Sequence, residues 1–142
     1  MEITSPRSRV CFRIFSPNLD PEDVSRNLGL SPDHSHYQGD YPQGKPTFTA
    51  YRHGMWLLRS KLPNEHSLET HLGDLLSILE SKQSYIKALA QSATVDFSCT
   101  LYSQNGFQLS PQILSRIANL GAILGVVVYP GDSEVQLGAE EN

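Results

Sequence analysis

The chain has 142 residues, of which 39% are hydrophobic, so it is long enough for one domain with a buried core and too short for two domains of ordinary size. Its formal net charge of -4 at pH 7 offers no concentration of positive charge for a phosphate backbone, which argues against nucleic acid as a partner. The longest apolar run, "AILGVVVY", is too short to cross a bilayer, and the opening "MEITSPRSR" lacks the apolar region of a secretion signal. We therefore expect a cytoplasmic protein with no membrane association.

The first predicted elements are a strand and a capped helix. Apolar residues alternate with other residue types over positions 10–14, which predicts a strand covered on one face. Asp20 can accept hydrogen bonds from the free N–H groups of a helix start, and Pro21 suits the first turn. Gly29 predicts the end of this helix.

Two polar, aromatic-rich runs follow, at residues 34–41 and 50–60. The loop "GDYPQGKPT" between them contains Gly and Pro residues that favour turns, so the two runs predict a hairpin with a long connection. Trp56 and Leu58 share one phase of the second run and are expected to face the core.

The longest helix is predicted from Ser67 to about residue 91. Its apolar side chains follow the three-and-four spacing of a single stripe, which should pack on the sheet. The stripe consists of Leu68, Leu72, Leu75, Leu76, Leu79, Ile86 and Leu89.

The last third of the chain predicts a strand, a helix and a final strand. Residues 95–101 alternate as a strand, and Ser110 with Pro111 predicts a second capped helix start. Gly121 predicts its end. The final run "AILGVVVY" is almost wholly apolar, which favours a strand shielded on both faces over an edge strand.

The two ends of the chain share the same order of predicted elements. Pairing Pro21 with Pro111 aligns residues 24–26 with 114–116, so each copy reads as strand, loop, capped helix, glycine and strand. Capping preferences alone could generate this pattern twice. We predict an α+β fold, with helices packed against a mixed sheet in a ferredoxin-like β-α-β-β-α-β-α-β order that contains two pseudo-repeated β-α-β halves.

One domain is predicted over residues 9–130. We expect residues 1–8 to be a flexible N-terminus and residues 131–142 to be a flexible acidic tail. Within the domain, the repeat alignment places Cys11 and Cys99 on opposite phases of their strands, so a disulfide between them is not expected. Reduced thiols agree with a cytoplasmic location.

The hairpin is the predicted functional surface. Tyr and Arg side chains give large contact areas at low entropic cost and are frequent in protein-binding hot spots. The sequence contains no nucleophile elbow, phosphate-binding loop or dinucleotide fingerprint, so an enzyme is not expected. We expect a non-enzymatic protein that binds another protein and needs no cofactor. The predicted binding residues are Tyr37, Tyr41, Tyr51, Arg52 and His53.

Histidines provide an alternative hypothesis. His34 and His36 would lie on one strand face with Asp40 nearby, which can hold zinc if a third ligand arrives from elsewhere. The alternative is therefore a small-ligand or metal-binding regulatory domain. Our first expectation is that the chain binds no metal. His66 and His71 are five residues apart, do not stack on one helix face, and are expected to be exposed.

Three stretches resemble a known family. They are "CFRIFSPNLDPEDVSRNLGLSP", "GMWLLRSKLPNEHSLETHLGDLLSILE" and "LSRIANLGAILGVVVYP". Together they resemble the bacterial domain-of-unknown-function family numbered forty-two seventy-nine over about residues 9–130. The landmarks are the turn at residues 30–32, the Trp56 strand, the Leu-rich helix and the final strand ending at Tyr129. The resemblance implies no established activity, and for a small acidic protein of this kind it implies an immunity or toxin-neutralising role.

Overall fold

The computed structural model describes residues 7–130. The strands are β1 (Arg7–Ser16), β2 (His34–His36), β3 (Gly54–Arg59), β4 (Thr94–Tyr102) and β5 (Ile123–Tyr129). The α-helices are α1 (Pro21–Leu28), α2 (Leu68–Leu79), α3 (Gln83–Leu89) and α4 (Pro111–Asn119). Arg7 and Ser8, which were predicted to belong to a flexible N-terminus, are part of β1. Residues 1–6 and the predicted tail at 131–142 lie outside the described part of the chain.

The strands form one mixed sheet in the order β2-β3-β1-β4-β5. The β2–β3, β3–β1 and β1–β4 pairs are antiparallel, whereas β4 and β5 are parallel. The predicted α+β class with a mixed sheet is confirmed. The five-strand order and the number of helices differ from the ferredoxin-like arrangement that was predicted, so that finer topology is not confirmed.

The two predicted β-α-β halves are not equivalent in the sheet. In the second half, β4 and β5 are direct neighbours, as a right-handed crossover through α4 would produce. In the first half, β3 lies between β1 and β2, because the hairpin returns β3 to pair with both strands. The repeat in the sequence therefore reflects similar helix starts and ends more than a duplicated sheet.

The predicted helix caps of α1 and α4 are present. The Asp20 carboxylate accepts hydrogen bonds from the backbone N–H groups of Glu22 and Asp23 at 3.1 and 3.3 Å. The Ser110 hydroxyl accepts one from the N–H group of Ile113 at 3.2 Å. Gly29 follows α1 with a φ of 70°, a left-handed conformation that glycine adopts without steric cost. Local sequence patterns therefore located both helices.

The core lies on one face of the sheet. Alternate residues of β1 are buried and the intervening ones are at least partly exposed, so the helices cover a single face. Trp56 is 0% exposed on the covered face, and its indole N–H donates to the Ser25 hydroxyl at 2.9 Å. On the other face, Arg13 forms a bidentate ion pair with Asp96 across β1 and β4, at 2.9 and 2.7 Å. This second face is called the open face below.

The prediction that β5 is shielded on both sides is wrong. Within residues 7–130, β5 pairs only with β4 and forms an edge of the sheet. Ile123 and Val127 are 58% and 52% exposed, since they lie on the open face, and only Leu124 and Val126 pack against the core. An apolar run of this length is compatible with a central or an edge strand, and its position in the sheet decides its burial.

The predicted long helix is divided. A 3-10 turn at Glu80–Lys82 separates α2 from α3, and no Pro or Gly marks the break. The predicted leucine stripe is nevertheless buried along α2 and continues to Ile86 in α3. Within the described part of the chain, none of the helices has the length and apolarity needed to cross a membrane.

Candidate functional site

The loop between β2 and β3 carries all five predicted binding residues. Backbone hydrogen bonds join its two arms, from Gly39 N–H to the Tyr51 carbonyl at 2.9 Å and from Tyr51 N–H to the Asp40 carbonyl at 2.8 Å. The Asp40 carboxylate also accepts from the Tyr37 N–H at 2.9 Å. The loop therefore has a defined backbone at the point where its tyrosines emerge. We call Tyr37, Tyr41, Tyr51, Arg52 and His53 the hairpin surface.

Tyr41 and Tyr51 line one groove. Its volume is about 470 Å³, and His34, His36 and Asp40 also line it. The Tyr51 ring stacks on the His36 ring with 3.4 Å between centroids and an interplanar angle of 6°. Tyr41 remains 43% exposed at the edge of the groove. The structure therefore brings together two of the five predicted binding residues with the alternative histidine site.

Tyr37 lies beside the groove and contacts α1. Its hydroxyl donates to the Asp20 carboxylate at 3.1 Å, while 40% of the residue stays exposed. Partial desolvation and then the bond to Asp20 raise the pKa of Tyr37, so the phenol remains neutral and continues to donate. The contact links the loop to the helix cap, a connection that the separation of 17 residues hid from sequence reasoning.

Arg52 and His53 do not line this groove. His53 packs edge-on against Phe15, with ring centroids 6.0 Å apart, and lines a separate groove with Phe15 and Ser92. Arg52 is exposed. The hairpin surface therefore consists of a groove with an exposed polar flank, and the five residues do not converge on one point.

The two histidines of the alternative site contact each other. His34 Nε2 lies 2.8 Å from His36 Nδ1, so one ring donates to the other. Burial, followed by the nearby His34 charge, lowers the pKa of His36, which favours its neutral form. Among residues 7–130, no three His, Cys, Asp or Glu side chains are arranged to hold a metal ion. A metal at this pair would have to break the bond between the rings.

The prediction that His71 is exposed is wrong. His71 is 1% exposed in α2, and its Nδ1 lies 2.7 Å from the Ser60 hydroxyl. Residue 71 falls three after Leu68 and four before Leu75, so its place in the apolar stripe was the signal that could have revealed its burial. His71 and Arg59 line a second cavity, which sequence reasoning missed because its residues come from distant parts of the chain.

The free cysteines Cys11 and Cys99 lie on opposite faces of the sheet, as their strand phases predicted. Cys99 is buried on the covered face, whereas Cys11 is partly exposed on the open face. Burial raises the pKa of Cys99 to about 12, so its thiol stays protonated and is not a nucleophile at neutral pH.

Comparisons with known proteins identify a family and no characterised relative. No curated protein and no solved structure matches the chain. One family model, described as "Domain of unknown function (DUF4279)", matches residues 6–131. The match spans β1 to β5 and so includes both the hairpin surface and the second cavity. The chain belongs to this uncharacterised domain family.

Proposed function

We propose that this chain is a cytoplasmic, non-enzymatic protein-binding module that binds another protein through the hairpin surface. The observation that carries the proposal is the exposure of Tyr37 and Tyr41, at 40% and 43%, on a loop whose arms are joined by backbone hydrogen bonds. Aromatic rings on an ordered loop lose little conformational entropy on binding, which is the property of interface anchors.

Charge supports a protein partner. Arg52 and Lys45 are exposed on the same loop as the tyrosines, and Arg is enriched at protein interfaces together with Tyr. The groove beside Tyr41 gives a partner side chain a place to enter, and a filled pocket is typical of binding hot spots.

The contact between the Ser60 hydroxyl and His71 does not favour an enzyme. In a catalytic triad the carboxylate orients the imidazole, and the imidazole then activates the serine. In this chain the Asp74 carboxylate is 3.5 Å from the Ser60 hydroxyl instead, and within residues 7–130 no carboxylate is hydrogen-bonded to His71 to orient it as a base. The arrangement supports a structural hydrogen bond more than a nucleophile.

The specific partner that we propose is a toxin, which this small acidic chain would neutralise as an immunity protein. Co-expression with the product of the adjacent gene would test that form of the proposal. Rescue of growth from a toxic neighbour supports it, whereas a harmless neighbour or no rescue counts against it.

The hairpin surface itself is tested by alanine substitution. Affinity capture from a lysate of the source organism would supply the partner, and its dissociation constant would be measured for the wild type and for Tyr41→Ala. Removal of an aromatic anchor should weaken binding about 30-fold, which corresponds to a hot-spot loss of about 2 kcal/mol.

Phe107 provides a matched control. It is 42% exposed, close to the 43% of Tyr41, and lies in the loop before α4. Phe107→Ala should leave affinity unchanged. Equal affinity for Tyr41→Ala and the wild type, in a variant that unfolds normally, would refute the role of the hairpin surface.

A small-ligand or metal-binding regulatory domain is the second candidate. The groove of about 470 Å³ has the size of a small-molecule site, and His34, His36 and Asp40 supply its polar groups. Thermal unfolding with and without zinc, or with a metabolite panel, would test it. A rise in melting temperature that His36→Ala removes supports this candidate, and the absence of any shift opposes it.

We also propose a ferredoxin-like origin for the first four strands. Their antiparallel order β2-β3-β1-β4, with α1 and α2 as crossovers, supports it, and α4 with β5 would then be an addition at the β4 edge. A variant ending after β4 that still folds cooperatively would support the proposal, whereas an unfolded one would oppose it.

A further inference from the structure

The two edges of the sheet differ in how they are protected. At one edge, β2 has only three residues, and all three are polar. At the other edge, β5 has seven residues, and from Ile123 to Val128 none of its side chains is charged or polar. Short length, charged side chains and proline are common means by which proteins prevent an edge strand from pairing with another chain. β2 is short, whereas β5 has none of these features.

Exposed aliphatic side chains are concentrated on β5. Among residues 7–130, five Val, Leu or Ile residues are at least 40% exposed, and three of them belong to this strand, namely Ile123, Val127 and Val128. Ile123 and Val127 lie on the open face, and Val128 lies on the opposite face of the strand. Both faces of β5 therefore present apolar groups to solvent beside the unpaired edge.

Leu114 of α4 extends this apolar surface. α2 packs over β1, whereas α4 packs over β5. The Arg116 guanidinium donates to the Glu80 carboxylate at 2.7 and 2.8 Å, which fixes the side of α4 that faces α2. Leu114 precedes Arg116 by two residues, so it lies about 160° away from it around the helix and faces the outer edge of the sheet. Leu114 is 46% exposed, so four of the five exposed aliphatic residues of the described chain border one edge.

Gly125 has no evident role inside the chain, although it lies in the middle of β5. Its backbone is not left-handed, and a Cβ atom at this position would have no atom within 4 Å beyond its chain neighbours. Neither conformation nor packing within residues 7–130 therefore requires a glycine. Glycine in the interior of a strand weakens it and often marks the close approach of another backbone. A second backbone beside the open edge would account for Gly125.

We propose that β5 pairs antiparallel with β5 of a second copy of this chain, which joins the two sheets across a two-fold axis. With Gly125 on the axis, Ile123 of each copy lies opposite Val127 of the other, so the exposed aliphatic residues of the open face cover each other. The occupant is a second copy because β5 carries no charge, so like charges do not meet when the strand pairs with itself. This interface lies at the edge opposite β2 and does not include the hairpin surface, so it is independent of the protein-binding proposal.

The dimer should be reversible. Seven residues of strand extend about 23 Å, so the interface is short, and we expect a dissociation constant on the order of 10 μM. Each chain also keeps its core without the second copy, since Phe12, Trp56 and Phe97 are already 0% exposed. Unfolding measured well below the dissociation constant therefore reports on the single chain.

Sedimentation of the full chain measures the association directly. Between about 1 μM and about 1 mM, the average mass should rise from that of one chain towards that of two. A mass that stays at one chain over this range would overturn the proposal. Growth beyond two chains would also overturn it, because pairing across a two-fold axis is closed.

Amide hydrogen exchange locates the interface. Amides of β5 should exchange more slowly at high than at low protein concentration, because pairing protects the outer edge of the strand. Full protection at low concentration would show that another segment of the same chain covers this edge. Protection that appears only on a different surface would place the contact elsewhere. Either result would contradict pairing through β5.

Val127→Lys and Ile78→Lys provide a matched pair of variants. Both place a lysine at an exposed aliphatic position, but Ile78 is 40% exposed on α2, which packs over β1. Val127→Lys brings two positive charges close to the axis and should raise the dissociation constant about tenfold or more, whereas Ile78→Lys should not change it. Urea unfolding at low concentration checks that both variants are folded. Equal dissociation constants for the two variants would rule out the β5 interface.

Discussion

At the scale of single residues, the contact between Trp56 and Ser25 shows how α1 is attached to the sheet. The indole N–H group is buried and its only described acceptor is the Ser25 hydroxyl, at 2.9 Å. The burial of Trp56 followed from its phase with Leu58, so the sequence predicted it correctly. The hydrogen bond joins residues 31 positions apart and could not be inferred from a local pattern.

Ser25→Ala should lower the free energy of unfolding by about 1–3 kcal/mol, because it leaves a buried N–H group without an acceptor. Ser115 is the matched control, since it occupies the corresponding position of α4 and is exposed. Ser115→Ala should change stability by less than about 0.5 kcal/mol. Urea unfolding of both variants measures the difference, and similar losses would mean that the contact contributes no specific stability.

Two histidines make stability depend on pH. Burial lowers the pKa of both His36 and His71 in the folded chain. In the unfolded chain a histidine titrates near pH 6.5, so in the window that extends down from about pH 6.5 the unfolded state binds more protons. Stability should therefore fall as the pH is lowered through this window, above the range where carboxylates titrate.

Urea midpoints measured from about pH 7.5 to about pH 5 test this dependence. We expect the midpoint to decrease towards acid, and His71→Gln, if it folds, to reduce the decrease. A midpoint that stays constant or increases on acidification would show that protonation of these imidazoles does not destabilise the folded chain.

At the scale of elements, local patterns located the strands and the helix caps, whereas long-range pairing decided the sheet order and the exposure of β5. Asp20 with Pro21 and Ser110 with Pro111 are complete local signals, and both begin helices as predicted. The break between α2 and α3 has no Pro or Gly. The apolar run of β5 has no feature that distinguishes a central strand from an edge strand, so its exposure followed only from the sheet order.

Substitutions in two strands test the edge position of β5. Val127 in β5 is 52% exposed, whereas Val95 in β4 is 2% exposed. Val127→Thr should change the free energy of unfolding by less than about 0.5 kcal/mol. Val95→Thr should cost about 1–3 kcal/mol, because it buries a hydroxyl in the core. Comparable losses at the two positions would place β5 in a covered part of the sheet.

At the scale of the whole molecule, the sheet has one covered face and one open face, and the hairpin surface and the second cavity lie at different places along it. The hairpin surface could be predicted because its residues are concentrated in one stretch of sequence. The cavity at Arg59 and His71 could not, because β1, β3, β4 and α2 each supply part of its lining. His71 was predicted to be exposed, although its place in the apolar stripe of α2 indicated the burial that the structure has.

Nearness in the sequence predicted one surface from Tyr37, Tyr41, Tyr51, Arg52 and His53, but it did not predict where their side chains point. The loop turns Tyr37 towards Asp20 and His53 towards Phe15, and only Tyr41 and Tyr51 share a groove. Side-chain directions in an irregular loop depend on its turns, which residue spacing does not reveal.

The most direct measurement of the central claim is amide hydrogen exchange of the chain alone and in complex with its captured protein partner. If the hairpin surface binds the partner, exchange across residues 37–53 should slow in the complex, while exchange across residues 104–110 around the control Phe107 should not change. Slower exchange elsewhere on the chain, with residues 37–53 unaffected, would contradict the account.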